Sequence, residues 1–329
     1  MIRYICKRIL IMIPVILGVI LIIFTISELT PGDPAALALG NSFTQERYEE
    51  KVIEMGLDKP FLVRYVNYII GIVTRWDWGT SYANGRSVAS LITSRIPVTL
   101  ELGLISCLIT TIFGLAIGVV SAVKQYSALD YTTSALAIIF SAMPNFWMAV
   151  LGILIFSQRL HWLPASGLDS VKSWIMPVLC NALGPVCLIL RTTRSTMLDV
   201  INQDYIRTAR AKGVSERNII LRHALKNAII PTITVIGMQL SLVMGGSVVV
   251  ETIFNINGLG LLMMNSISNR DYPTIQGIVL LLAVTVCVIN LLVDLAYALV
   301  DPRIKAQYVD AGKSRGGKLR KAKKEGSAA

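Results

Sequence analysis

The sequence predicts an all-α polytopic membrane protein with six transmembrane helices. Three observations carry that prediction: an apolar composition, six apolar runs of spanning length, and an uneven distribution of lysine and arginine. Hydrophobic residues make up 54% of the 329 and charged residues only 16%, with a mean hydropathy of +0.63. An ordinary soluble domain is about 45–50% apolar and about 25% charged. A run of about 20 apolar residues crosses roughly 30 Å of hydrocarbon, and six candidates lie at 9–26, 98–122, 132–157, 174–190, 229–249 and 276–300. The fourth contains Pro177, Asn181, Gly184 and Pro185, which predicts an interrupted helix, a form tolerated where neighbours or water satisfy the freed backbone.

Orientation follows from the basic residues, because lysine and arginine in short flanks are retained in the cytoplasm. Arg3, Lys7 and Arg8 precede the first run, Lys124 separates the second and third, and Arg191, Arg194, Arg207, Arg210, Lys212, Arg217, Arg222 and Lys226 follow the fourth. Six spans return the C-terminus to the cytoplasm, in agreement with Arg303, Lys305, Lys313, Arg315, Lys318, Arg320, Lys321, Lys323 and Lys324. The net charge of +11 is thus topological, and no nucleic-acid partner is expected. The resulting organisation is a cytoplasmic N-terminus and first helix at 1–27, an external segment at 28–97, a five-helix core at 98–304 with a cytoplasmic loop at 191–228, and a basic tail at 305–329. The tail is expected either to be disordered or to rest on anionic lipid.

The basic start and first apolar run share features with a secretory signal peptide, with Ala36-Leu37-Ala38 as small residues for cleavage. The run is long for a signal core, and those residues lie beyond Pro31-Gly32-Asp33-Pro34, so a retained anchor is expected. Cys6, Cys107, Cys180, Cys187 and Cys287 show no close pairing; Cys180 and Cys187 would stand about 10.5 Å apart along a helix, too far for a bridge. His161 and His223 are the only histidines and fall on opposite sides in this topology, so no metal site is expected.

Within 28–97, Thr44-Gln45-Glu46-Arg47 begins a charged helical run that Gly56 ends. In 61–73, Leu62, Tyr65, Tyr68 and Ile69 repeat at helical spacing, which predicts a stripe packed on the membrane domain or its interface. Glu251 to Tyr272 carries Asn255, Asn257, Gly258 and Gly260, a turn-rich pattern expected to fold back on the external mouth. In the loop at 191–228, residues 199–212 suit a helix stopped by Gly213, since glycine takes the left-handed conformation at a helix end without a side-chain penalty. Ser215 is a fitting N-cap with Glu216 in the first turn. Pro231 stands near the start of the fifth span, where it can bend the helix. The loop therefore reads as a short helix-turn-helix projecting from the membrane.

Here the chain resembles the permease subunits of bacterial ABC importers. Their cytoplasmic signature is a Glu-Ala-Ala-like start, a glycine four positions after the second alanine, and a later proline. Arg207-Thr208-Ala209 and Gly213 occupy that core, with Arg207 and Thr208 in place of Glu and Ala and with Pro231 late. Both departures are similar to those of the dipeptide, oligopeptide and nickel branch. Across residues 1–307 the likeness extends to Pro31-Gly32-Asp33-Pro34, Gly56-Leu57-Asp58-Lys59-Pro60, Ser141-Ala142-Met143-Pro144-Asn145-Phe146-Trp147, Glu251-Thr252-Ile253-Phe254 with Gly258-Leu259-Gly260, and Arg270-Asp271-Tyr272-Pro273. It is similar to the member with the long first external segment.

The resemblance implies the type I ABC importer permease fold in a bacterial cytoplasmic membrane. It also implies pairing with a second homologous permease, two ABC ATPase subunits beneath, and an external solute-binding protein. No catalytic site or cofactor is expected on this chain, with ATP and Mg held by the partner ATPases. Gly312-Lys313-Ser314 lacks the phosphate-loop pattern because Gln307 stands where its first glycine belongs.

Tyr205, Arg207, Thr208, Ala209, Gly213 and Val214 are the expected ATPase-coupling residues. Met143, Pro144, Asn145 and Phe146 are candidates to break the third span and line the path, with a simple proline kink as the competing reading. Gln239, Ser241, Gly245, Gly246 and Ser247 either line the path or let helices approach closely. Gly114 and Gly118 suggest helix packing, and Glu101 and Asp294 lie near span ends, where interfacial solvation explains them. Peptides are the expected cargo, nickel or a nickel chelate the alternative within the family, and a passive channel or membrane enzyme the alternative of a different class.

Overall fold

The computed structural model describes residues 2–40 and 43–300, without the side chains of residues 2–4, 243–246 and 297–300. The tail beyond 300, on which an expectation was placed, lies outside the described residues, and so do the surroundings of Gly245 and Gly246.

The described chain is helical almost throughout. α1 (Ile2–Leu29) is followed by α2 (Pro34–Leu39), α3 (Gln45–Glu54), α4 (Phe61–Arg75) and α5 (Val88–Thr93). Next come α6 (Ile96–Val123), α7 (Ala128–Ala142), α8 (Asn145–Gly152) with a π-helical continuation at Ile153–Arg159, and α9 (Val171–Ile201). Then follow α10 (Asp204–Ala211), α11 (Glu216–Asn218), a π-helical segment at Ile219–Ala224, α12 (Leu225–Gly246), α13 (Val248–Ile253), α14 (Leu259–Ser268) and α15 (Tyr272–Val300). Five helices have the length and apolarity to cross a membrane, and the bent pair Ala128–Ala142 and Asn145–Arg159 makes six.

The expectation of an interrupted fourth span is corrected: α9 runs unbroken for 31 residues through Pro177 and Pro185. The break falls in the third span, where α7 and α8 meet at 101°. Met143 leaves the helical conformation at ψ 125 and Pro144 caps α8 at ψ 141. The residue before a proline is pushed toward extended backbone; inside α9, tight contact with α6 holds the same residue type within a continuous helix.

That contact rests on small residues. Gly103, Ser106, Thr110, Gly114, Gly118 and Ser121 recur every three or four positions on α6 and are all buried. A Cβ at Gly114 would meet Ile189 Cγ2 at 2.7 Å, and one at Gly118 would meet Thr193 Cβ at 2.7 Å. The glycine pair is therefore a close-packing device between α6 and α9.

A second set of contacts gathers at the end of the bundle where α6 begins. Asp33 caps α2 by accepting from the Ala35 and Ala36 amides at 2.9 and 3.2 Å, which accounts for Asp-Pro in the first motif. The Tyr48 hydroxyl also donates to Asp33. This contact, with the two amides, holds the Asp33 carboxyl below its usual range against the opposing effect of desolvation. The α4 stripe packs in part: Phe24 of α1 has Tyr65 and Tyr68 at ring distances of 5.7 and 5.1 Å, and the Tyr65 hydroxyl donates to the Leu17 carbonyl at 2.9 Å. Leu62, expected in the same stripe, is 66% exposed. Asp271 joins this end to α15 by accepting from the Ser81 and Thr274 hydroxyls at 2.5 and 2.7 Å and the Tyr82 amide at 2.8 Å.

Candidate coupling surface and transport path

At the other end of the bundle, α9 stops at Ile201 and the chain restarts as α10 after Asn202 and Gln203, so the expected helix at 199–212 is two helices. α10 is rooted by Ile206, which is fully buried with Ile219, Met197, Ala224 and Ala122 in one apolar cluster. Gly213 turns the chain at φ +77, the left-handed region that glycine enters freely. Its amide donates to the Arg210 carbonyl at 2.9 Å, and the Val214 amide to the Ala209 carbonyl at 3.2 Å. Across the turn, Arg210 Nε and Nη2 donate to Glu216 Oε2 and Oε1 at 3.2 and 2.7 Å, a solvent-exposed bidentate brace between the two helices.

Tyr205, Arg207, Thr208 and Gly213 are exposed on this projection. Ala209 and Val214 are half-buried and pack against the root cluster. Tyr205 is also tied at its hydroxyl, which accepts from Asn227 Nδ2 at 2.8 Å. A Cβ built on Gly213 would meet no atom within 4 Å, so the glycine serves the turn rather than a close approach within this chain. Sequence reasoning missed Ile206 and the Arg210–Glu216 brace; an apolar residue inside a charged helix and opposite charges flanking a glycine were the signals.

At the 101° break, Pro144, Asn145 and Phe146 are exposed, and Met143 is half-buried against the core around Met148 and Phe254. Gln239 and Ser241 are half-buried on α12, and the Ser241 hydroxyl donates to Asn290 Oδ1 of α15 at 3.1 Å. Ser247 is buried and its hydroxyl donates to Glu251 at 2.7 Å. Glu101 is exposed on α6. Asp294, for which solvation was the expected explanation, instead pairs with Arg8 at 3.0 Å, joining α15 to α1.

Glu251 was quoted in a motif but given no role by sequence reasoning, and it is a hub. Its side chain is fully buried. One oxygen accepts from Thr99 and Ser247 at 2.9 and 2.7 Å; the other accepts from the Gly260 and Leu261 amides at 2.6 and 3.3 Å. Thr99 in turn accepts from the Leu259 amide at 2.8 Å. The first turn of α14 is thereby tied to α6 and α13, with a carboxylate at the end of the helix dipole that favours it. A Cβ at Gly258 would stand 2.6 Å from the Glu251 carboxyl carbon, and one at Gly260 would run into Val248 Cα, so both glycines are required by close approach.

Asp130 makes the corresponding tie toward the α10 end of the bundle. Arg194 Nε and Nη2 donate to its two oxygens at 2.6 and 2.7 Å, the Ser121 hydroxyl at 2.5 Å and the Tyr126 amide at 3.1 Å. Its side chain is 3% exposed and that of Arg194 27%. Asp130→Asn removes the charge and leaves Arg194 without its bidentate partner. The expected loss is about 1–3 kcal/mol, the range for a hydrogen bond to a charged group discounted for the partly solvated arginine. Thermal unfolding in detergent measures it, and a double-mutant cycle with Arg194→Met should give a coupling of about 1 kcal/mol or more; strict additivity would contradict the tie.

The description "binding-protein-dependent transport system inner membrane component" matches residues 114–306, and the N-terminal component of the same system matches residues 1–103. The oligopeptide transport system permease protein AppB of Bacillus subtilis is 40% identical over 316 residues, covering 93% of this chain and 100% of that protein. The glutathione transport system permease protein GsiC of Salmonella choleraesuis is 40% identical over 305 residues, covering 93% and 99%. Among solved structures, the inward-facing MetNI methionine ABC transporter superposes with a TM-score of 0.55 at 20% identity, over 65% of this chain and 97% of that one. An amino acid ABC transporter gives 0.54 at 16% identity, over 64% and 94%. The fold is that of type I ABC importer permeases, and the chain belongs to the inner-membrane component family of binding-protein-dependent transport systems.

Proposed function

We infer that this permease forms half of the path of an ATP-driven peptide importer, with the α10–Gly213 projection as the part gripped by an ATPase. The single observation that supports the grip is the division of α10: Ile206 is packed into the apolar cluster at the end of the helix bundle while Tyr205, Arg207 and Thr208 face outward. A force on the outer face then reaches α9 and α12 through a packed root, because packed cores move as bodies. In this reading α10 lies in the cytoplasm with both chain termini, α2–α5 and α14 lie outside, and the break at Pro144 faces the route between this chain and a second related permease. Two ATPases hold ATP and Mg, and an external binding protein delivers cargo. The peptide cargo follows the named substrates of relatives about 40% identical over nearly their whole length, which favour it over nickel.

The test is reconstitution of the full set of neighbouring subunits in vesicles. ATP-dependent uptake of peptide is expected, with tagged permease retaining both ATPases on purification. Downhill flux of peptide through the permease alone, with no ATPase retained, would establish a channel instead.

A further inference from the structure

α4 presents three faces, and two of them meet other parts of this chain. Phe61, Tyr65 and Tyr68 pack around Phe24 of α1 at ring distances of 6.4, 5.7 and 5.1 Å. Arg64, Asn67 and Arg75 line the cavity that α4 shares with the loop at 77–85 and the start of α15. The third face stands open. Leu62, Val66, Ile70 and Val73 recur there every three or four positions with Val63 beside them, and all five are between 43% and 77% exposed. That spacing gathers the side chains on one arc of the helix, and the arc carries no charge.

The depth of α4 says what covers the arc. The Tyr65 hydroxyl donates to the Leu17 carbonyl at 2.9 Å, and Leu17 lies midway along the apolar run at 9–26 by which α1 crosses the membrane. One tyrosine side chain spans only a small part of half the roughly 30 Å of hydrocarbon, so α4 at Tyr65 lies beside the apolar layer rather than above it. Near the end of α1, Arg64 pairs with Glu28; the helix is thus held along the outer half of α1. Only 6% of the apolar stretch of α1 is buried, and its Leu21, Ile22 and Ile26, close to the α4 contact, are exposed. The arc of α4 continues that lipid-facing surface. α4 ends in Arg75 followed by Trp76, which is 71% exposed, and both residue types settle where hydrocarbon meets water.

We propose that α4 lies in the outer leaflet as an interfacial amphipathic helix, its arc of Leu62, Val66, Ile70 and Val73 against lipid acyl chains, and that this contact seats the external segment 28–97 on the membrane. The proposal rests on the orientation given above, in which α4 is on the external side, and it adds the bilayer as a partner of that segment.

The test is photocrosslinking in the assembled importer, held in nanodiscs of phosphatidylethanolamine and phosphatidylglycerol, with p-benzoylphenylalanine placed at Val66 or Val73. Mass spectrometry is expected to find lipid adducts at both positions, in yields comparable with the same probe at Ile22 of α1 and at least fivefold above the probe at Glu50 on α3. Adducts to the second permease, or none at Val66 and Val73 where Ile22 gives them, would overturn the lipid contact.

Val66→Asp combined with Val73→Asp tests the seating. Amides of α4 should exchange at least tenfold faster in this variant while those of α6 and α9 keep their rates; unchanged exchange in α4 would overturn it. Glu50→Cys reports the side of the membrane, through labelling of intact spheroplasts by an impermeant maleimide over the wild-type background. Labelling only after lysis would overturn the orientation and with it the outer leaflet, whereas labelling of intact spheroplasts without lipid adducts sinks the lipid contact alone.

Discussion

An importer carrying Gly213→Val is expected to hydrolyse ATP at close to the wild-type rate while peptide uptake falls by about tenfold or more. The φ of +77 at this position costs an L-residue roughly 1–2 kcal/mol, and a β-branched side chain fares worse. The open space around the glycine means that no clash within the chain drives the effect; the turn itself changes angle, and the Arg210–Glu216 brace is pulled out of register. Insertion and subunit retention are expected to survive, because Ile206 and Ile219 remain buried. Gly213→Asn provides the control, since asparagine enters the left-handed region more readily than other residues, and most uptake should persist in it. Normal uptake by the valine variant would remove Gly213 from the coupling role; equal failure of the asparagine variant would place the requirement in the surface pressed against the ATPase rather than in the backbone.

The second large effect is on stability. Glu251→Ala strips the acceptor from the Gly260 and Leu261 amides and the Ser247 hydroxyl and opens a void beside Thr99. Orphaned donors cost about 1–3 kcal/mol each in a buried site, and partial relaxation recovers some of this. A net loss of about 3–5 kcal/mol is expected, which for a chain of this size lowers the melting temperature by roughly 10 °C. Glu251→Gln should cost less, because its amide oxygen still accepts from α14 while its NH₂ group faces the Thr99 and Ser247 hydroxyls, which must turn to accept. Hydrogen exchange localises the damage: α14 should lose protection before α6 or α9. An alanine variant that melts within about 2 °C of wild type would show that α14 is held by its apolar contacts alone.

Much of the architecture was legible in local pattern. The membrane class and the number of spans follow from hydropathy, since a span of about 20 apolar residues is a property of contiguous sequence. The turn at Gly213 and the Thr44 start of α3 follow from residue types whose backbone preferences are local. The prolines show the limit of this logic. Pro144 and Pro177 read alike in one dimension, yet one separates two helices by 101° and the other lies inside α9.

The family motifs show a related limit. Glu251, Gly258 and Gly260 were visible as a pattern, but their purpose depends on Thr99, some 150 positions away along the chain. Arg8 read only as a cytoplasmic flanking charge and Asp294 as an interfacial one until α1 and α15 were side by side.

What the sequence by itself determined is the membrane class, the span count and the glycine turn after α10, because hydropathy and backbone preference act over a few residues. Tertiary structure alone decided which proline breaks a helix and which carboxylates lock helices together. Those outcomes depend on how distant segments bury one another, and a polar group acquires its partner, or is left without one, only when water has been excluded from both sides of the contact.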